Sequence, residues 1–509
     1  MEIMTKSDPK TPADKSLLAA IDLGSNSFRL EIGRLDSGHI QRVEYLKEPV
    51  RQGGDLDEDR NLTAESMERG IRCLARFGER LQDFEPSHVR AVATQTLREA
   101  NNRDVFLKLA KKALGFDVEV ISGVEEARLI YQGVSRFLPQ SDERRLVLDI
   151  GGRSTEFILG KGFEAQQTAS LHVGSVAWSL KHFGSGELTE NAFIRAEIAA
   201  ESIFDTLGVN FNHKRWDVAY GASGTVGAIA DVLVQYGRPE DTITREGLYW
   251  LREELLRTRH VDKIKLLGLK EERKAVIAGG LSIMLGIFDF LNIETLNVAK
   301  GALRHGLLYD MLARDDAMLD LRNASVERLA SKFDVDIAHA KIVAEVAEKL
   351  FEKIGVDIQF SPGEQQAHAR KLRWAGLLHE IGCAVSPIDA HLHGAYILEH
   401  TDPPGFAQSE LRCLSLLILG HRAKLKKLDA DFSNRIFVMQ LCCLRLAVIL
   451  CHARQMPNLR GIQLHLFDNK IVLSLPRTWP EKYPQSYYLL DEETASWQKT
   501  NWIFELNTI

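Results

Sequence analysis

Two short polar phrases combine residue types suited to gripping phosphate, and they lie 127 positions apart. Asp22, Gly24, Ser25, Asn26 and Ser27 make the first; Asp149, Gly151, Gly152, Arg153 and Ser154 make the second, with Glu156 just beyond. Asp22 and Asp149, Gly24 and Gly151, Ser27 and Ser154, and Gly33 and Gly160 all keep that offset. Each phrase follows an apolar run (17–21; 146–148) and precedes a second apolar stretch ending in glycine. That pattern reads as strand, tight turn, strand. In such a turn glycine lets backbone N–H groups converge on an anion, while Ser and Asn add hydroxyl and amide hydrogen bonds. A carboxylate at the strand end repels phosphate unless a cation or water intervenes, so Asp22 and Asp149 point to Mg²⁺ or a bound water. Two unrelated Gly-rich turns would not share one offset. A duplicated domain with a phosphate cleft between its halves does.

The flanking segments supply the elements that position these turns. Apolar residues recur at helical spacing over 62–81 and 101–114, and buried strands are expected at 89–93 and 118–121. A helix begins at Gly123 and carries Glu125 and Glu126 in its first turn. In the second half a strand over 216–220 feeds Gly221-Ala-Ser223-Gly224-Thr225, which opens a helix. A glycine-rich strand-to-helix turn offers an anion its free N–H groups and the helix dipole. Strands alternating with helices specify layered α/β domains. From Met311 the pattern becomes helical (338–354, 369–381, 393–399, 409–420, 435–451), and a β-hairpin (462–466, 471–475) and a strand near 502–506 close the chain.

Bulk composition narrows the class. At 509 residues the chain exceeds what one core supports. With 45% hydrophobic and 26% charged residues it is globular. Lys and Arg number 64 against 70 Asp and Glu, a net charge of −6 that argues against a nucleic-acid binder. Six scattered cysteines without a C-x-x-C read as reduced thiols, and 1–15 as a polar tail without an apolar leader. The apolar stretches at 411–419 and 441–451 are too short or too broken to cross a bilayer. A cytoplasmic enzyme is the expectation.

The ordered motifs AAIDLGSNSFRL (19–30), VATQTLREANN (92–102), VISGVEEARLIYQGV (120–134), DIGGRSTE (149–156), GASGT (221–225) and GALRHG (301–306) resemble the exopolyphosphatase and guanosine pentaphosphate phosphohydrolase family. RWAGLLHEIG (373–382), HLHGAYIL (391–398) and DPPGF (402–406) extend the likeness to the long, four-domain bacterial branch. The resemblance implies duplicated actin-like, ribonuclease H-like α/β domains, an all-α HD-like domain and a small β-containing C-terminal domain. The expected bounds are a tail at 1–15, actin-like domains at 16–125 and 126–310, the helical domain at 311–455 and the last at 456–509. It also implies a general base at Glu126 and Mg²⁺ on Asp149 and Glu156, with a monovalent cation such as K⁺ compatible. Phosphate contacts fall on Asp22, Asn26, Ser27, Arg98, Gly151, Ser154, Ser223, Gly224 and Thr225, to which Gly24, Ser25, Gly152, Arg153 and Arg304 are added. Hydrolysis of a phosphoanhydride needs a base to orient water, a divalent ion and donors on the non-bridging oxygens. The residues supply all of these.

Each role has a plainer rival. Glu126 also suits an ordinary helix first turn, and Arg98 a solvated charge. Glu156 faces either the cleft or the surface. Two departures from the family pattern stand out. Arg153 replaces a usual glycine; at positive φ it would carry strain of roughly 1–2 kcal/mol, and its guanidinium is otherwise free to clamp a phosphate or turn to solvent. Lys300 and His305 stand where acids are usual, making the neighbourhood more positive. In the helical domain His379-Glu380 takes the place of a His-Asp metal pair, with His339, His391, His393, His400 and His421 around it. Core or surface histidines are the expectation there, not a metal site. The basic run from His421 to Lys427 reads as a solvated face, or as a path for distant polyphosphate.

The reading is a Mg²⁺-dependent exopolyphosphatase releasing orthophosphate from inorganic polyphosphate. Removal of the 5′ γ-phosphate of guanosine pentaphosphate to give the tetraphosphate is the alternative. An actin-like ATPase or sugar kinase, and a non-catalytic alarmone or polyphosphate sensor, are the rivals from other classes. A homodimer, no nucleic acid and at most peripheral association with the inner membrane complete the expectations.

Overall fold

Alternating apolar residues on either side of the first turn build a hairpin of β1 (Leu17–Leu23) and β2 (Ser27–Asp36). With β3 (His39–Pro49), β4 (Val89–Ala93) and β5 (Val118–Val120) it forms a sheet of order β3-β2-β1-β4-β5. The second turn joins β6 (Arg144–Ile150) to β7 (Thr155–Lys161). Together with β8 (Glu164–Leu171), β9 (Val218–Gly221), β10 (Thr242–Thr244) and β11 (Thr295–Val298) they form the order β10-β11-β9-β6-β7-β8. Read from β8 to β11, this sheet repeats the first strand for strand, and β10 is an added antiparallel edge. The duplication is therefore one of whole sheets. The computed structural model describes residues 17–509 other than 37–38, 140, 316–319, 359, 361, 423 and 499. The expected tail at 1–15 lies outside the described residues.

β1 is buried on both faces, and its period of two divides the core. Ala19, Ile21 and Leu23 face Leu74, Phe77 and Phe106. Leu18 and Ala20 face a cluster shared with Val147 and Ile158 of the second sheet. That shared cluster is made largely by two helices, Gly123–Ser135 and Leu303–Asp315. The first leaves β5 and packs on β7 and β8; the second leaves β11 and packs back on β1 and β2. Their crossing requires glycine. A Cβ on Gly306 would sit 1.9 Å from the Leu129 carbonyl oxygen, and one on Gly133 2.2 Å from that of Ala302.

The expected cuts at 125/126 and 310/311 both fall inside these crossing helices, so the two halves exchange helices and form one compact unit that ends at Leu319. The apolar helix Lys274–Leu291 is a core helix, with Leu281, Ile283, Ile287 and Phe288 fully buried.

The second compact unit runs from Asp320 to Ile509. It contains the expected helices, observed at Ile337–Gly355, Pro362–Leu378, Ala390–Glu399, Gln408–Gly420 and Arg435–Leu450. They are followed by β12 (Gln463–Phe467), β13 (Lys470–Leu475) and β14 (Ile503–Thr508), in the order β12-β13-β14. Helix and sheet residues share a single core, in which Leu350 and Leu441 join Leu464, Leu473 and Trp497. The expected division at 455/456 thus separates two secondary-structure classes within one core.

Candidate active site

The two turns face each other across a cavity of about 300 Å³. Gly24 and Gly151 sit close to neighbouring backbone: an added Cβ on either would lie a tight 3.1 Å from the carbonyl oxygen of Ser27 or Ser154. Neither has a positive φ, so proximity and not left-handed backbone selects glycine here. A Cβ on Gly152 would lie 2.9 Å from that of Ser25, which brings the turns into contact. Asp22, Gly24, Ser25, Asn26, Ser27, Gly151, Gly152, Ser154, Ser223, Gly224, Thr225 and Arg304 all line the cavity, as do Glu126 and Asp149. Ser223 caps the helix Gly224–Gln235, its Oγ accepting from the N–H groups of Thr225 and Val226 at 3.1 and 3.0 Å. The Thr225 hydroxyl donates to the Ile150 carbonyl at 2.9 Å. Much of the polar capacity in GASGT therefore fixes the helix start.

Sheet register places the charges. Asp22 pairs with Arg29, and Arg29 with Lys47, in one row across β1, β2 and β3. Arg29 Nη1 donates to Asp22 Oδ2 at 2.8 Å, so an internal cation answers the carboxylate for which Mg²⁺ or water was expected. The equivalent row in the second sheet is Asp149, Glu156 and Ser170. Glu156 is buried and is not among the residues lining the cavity; its Oε1 accepts from Ser170 Oγ at 2.8 Å. Arg29, Lys47 and Arg273 line the cavity and were not among the expected site residues. Arg29 was legible as the next same-face residue after Ser27. Lys47 and Arg273 had no local signal. Arg273 lies against Gly224, where an added Cβ would meet its Nη2 at 2.3 Å.

Glu126 sits at the start of its helix, whose cap is the Ser122 hydroxyl accepting from Glu125 N–H at 3.2 Å. Arg98 Nη1 donates to Glu126 Oε2 at 2.8 Å and to the Ile121 carbonyl at 2.9 Å. Gln95 Oε1 accepts from Arg98 Nε at 2.8 Å. Arg98 is thus spent on holding Glu126, and it does not line the cavity. Burial raises the Glu126 carboxyl above its ordinary range, the Arg98 charge opposing and Asp22 assisting. Burial, then the charge of Glu126, pushes Asp149 up to about 7. Burial, then Glu126 and Asp149, also raises Glu156 well above the ordinary carboxylate range.

Three buried carboxylates that disfavour one another's ionisation make an oxygen-only donor set, which a hard dication would relieve. Asp149 and Glu156, neighbours in register across β6 and β7, offer carboxylate oxygens of the kind Mg²⁺ takes and would be the residues to hold it.

Two expectations are corrected. Arg153 is not in the positive-φ region and carries no strain of that kind. Its Nη2 pairs with Glu99 at 2.6 Å and its Nη1 donates to the Gly53 carbonyl at 2.5 Å, so it ties the two sheets' loops together and does not line the cavity. His305 is buried against Glu31, with Nε2 3.1 Å from Oε1, and burial lowers its pKa; it adds no charge to the cleft. Lys300 and Arg304 do reach the cavity. Arg304 also pairs with Glu31 and lies over the Tyr45 ring at 4.9 Å.

The model of the Ppx/GppA phosphatase family matches residues 32–315, and that of domain III of the same phosphatases matches 321–494. A guanosine-5′-triphosphate,3′-diphosphate pyrophosphatase of Vibrio atlanticus is 38% identical over 492 residues, 96% of this chain and 97% of that one. The protein of the same name from Photobacterium profundum is 36% identical over 490 residues, again 96% and 97%. An exopolyphosphatase structure from Cytophaga hutchinsonii aligns with a TM-score of 0.53 and 26% identity, covering 58% of this chain and 98% of its own. A structure of the Aquifex aeolicus PPX-GPPA enzyme aligns at 0.50 and 26%, covering 57% and 98%.

Proposed function

Because the chain belongs to the Ppx/GppA phosphatase family, we propose that it hydrolyses the terminal 5′ phosphoanhydride of guanosine pentaphosphate, leaving the tetraphosphate and orthophosphate. The observation that carries this choice is identity of 36–38% to phosphohydrolases of that name across 96% of this chain. It reverses the order expected from sequence, where polyphosphate came first. Polyphosphate remains the second reading, favoured by likeness to an exopolyphosphatase structure at 26% identity over 58% of this chain.

The chemistry follows from the cleft. Glu126 takes the proton of the attacking water, and its raised pKa brings it toward the working pH, where a general base is most effective. Arg98 fixes the Glu126 carboxylate so that little reorganisation accompanies proton transfer. The turn N–H groups, Ser27, Ser154, Arg29, Lys47 and Arg273 offer donors and positive charge to the phosphate oxygens. Asp149 and Glu156 would hold Mg²⁺, which would supply charge neutralisation to the phosphoryl group being transferred. A homodimer in the cytoplasm belongs to the same proposal. The test is Glu126→Gln, which keeps size but accepts no proton. Orthophosphate release from guanosine pentaphosphate should fall about 10²–10⁴-fold with binding retained. Near-full turnover would remove Glu126 from the chemistry.

A further inference from the structure

The helical unit gathers a second set of ligating side chains that the cleft chemistry does not use. His339, His379 and Glu380 each offer one donor atom, and the donor atoms all lie within 4.8 Å of one another. The convergence has a local cause. His339 sits in the first turn of Ile337–Gly355, while His379 and Glu380 follow the end of Pro362–Leu378, the helix packed beside it. Gly376 permits that packing: an added Cβ there would lie 2.6 Å from Ala344 Cα.

Several details fit a metal better than a satisfied polar core. His339 is 7% exposed, and its Nδ1 is buried without a hydrogen-bond partner. His379 Nδ1 lies 2.8 Å from the Gly376 carbonyl, and that contact leaves Nε2 as the lone-pair nitrogen. Backbone acceptors of this kind orient metal-binding histidines. His421 repeats the arrangement, with Nδ1 2.6 Å from the Ile418 carbonyl and its ring centroid 5.7 Å from that of His379. Arg454 Nη2 donates to Glu380 Oε1 at 2.8 Å and its Nη1 to Asp336 Oδ2 at 2.8 Å. One Glu380 oxygen is thereby oriented and the other is left for a ligand.

We propose that His339, His379 and Glu380 form a transition-metal site of the Zn²⁺ class, separate from the cleft and its oxygen-only donors. Two imidazoles and one carboxylate suit a borderline-soft dication and leave a fourth position open. Bonds of about 2.0–2.2 Å place tetrahedral donors roughly 3.3–3.5 Å apart, so small side-chain rotations close the site. Glu380 stands where a His-Asp pair has the shorter aspartate. The longer side chain reaches because Arg454 braces it.

The experiment uses tag-free, full-length protein stripped with chelator and titrated with Co²⁺ alone, read by its visible d–d absorption and by metal analysis after desalting. One Co²⁺ per chain is expected, displaced by Zn²⁺ and little affected by excess Mg²⁺. His379→Ala, and Glu380→Gln at its more exposed position, should each weaken Co²⁺ binding by more than about tenfold, the loss seen even for outer-shell partners. Asp149→Asn and His400→Ala should leave it unchanged. Absence of stoichiometric binding, or binding that survives both cluster variants, overturns the proposal.

Discussion

Arg29 and Glu156 occupy the same place in the two copies of the sheet. Each lies on the second strand, two residues beyond the turn serine, and each faces the strand-end aspartate in register. In the first copy the position holds a cation 2.8 Å from Asp22, and Lys47 continues the row. In the second it holds an acid beside Asp149, and Ser170 continues the row. One duplicated position has diverged in charge; under the proposed function the first lobe would attract phosphate and the second the cation that phosphate needs.

Substitution should separate these halves. Arg29→Met removes a charge-assisted contact, for which a loss of about 1.5–3 kcal/mol is typical, and should raise KM roughly 10–100-fold at saturating Mg²⁺. Glu156→Gln should instead raise the Mg²⁺ concentration needed for half-maximal rate. Rates measured over a grid of substrate and Mg²⁺ concentrations distinguish the two, and identical Mg²⁺ dependence in both variants contradicts the division.

Arg98 is a positioning residue for Glu126, so its removal should show in the pH profile. Its charge holds the Glu126 pKa down against burial. Arg98→Met should raise that pKa and leave less free base at any given acidic pH. The acid limb of kcat/KM should therefore move to higher pH, and Arg98→Lys should restore part of the shift. An acid limb that stays in place would make the ion pair purely structural.

The folded-state pKa of Asp149, near 7, exceeds the ordinary 3.8 of an aspartate, chiefly through burial. An acid whose pKa is raised on folding favours the fold while protonated. That contribution is complete below about pH 4 and is lost as pH rises through about 7. In chelator, Asp149→Asn should therefore match or trail the parent at pH 4 and melt a few degrees above it at pH 8. Mg²⁺ should stabilise the parent at pH 8 and not the variant. Melting curves at both pH values check the sign.

The turns, strands and most helices were legible because glycine spacing and apolar alternation are local. The 127-residue offset carried the duplication with no long-range information at all. Lys47 and Arg273 were invisible, because they reach the cavity only through sheet register and the packing of Arg273 on Gly224. Arg98 was expected among the phosphate contacts, and its side chain donates to Glu126, 28 residues on, a pairing that no local pattern announces. The expected internal cuts at 125/126 and 310/311 fall inside the helices Gly123–Ser135 and Leu303–Asp315. Helices that cross between two sheets leave no composition break at the lobe boundary.

Arg153 offers a contrast between strain and tethering. Since its φ is not positive, Arg153→Gly relieves nothing and removes a partly buried pair with Glu99. The variant should lose up to about 1 kcal/mol, or roughly 2–4 °C in Tm. Its kcat should stay within about twofold, since Arg153 lies outside the cavity lining. A large fall in substrate affinity with unchanged Tm would return Arg153 to the phosphate contacts.

The central claim is the choice of substrate. Orthophosphate release should be measured side by side from guanosine pentaphosphate and from long-chain polyphosphate, with full-length protein at one Mg²⁺ concentration and the nucleotide product identified. The account predicts a higher kcat/KM for guanosine pentaphosphate, with guanosine tetraphosphate as its product and both activities lost in Glu126→Gln. Faster release from polyphosphate, with guanosine pentaphosphate left intact, would contradict it.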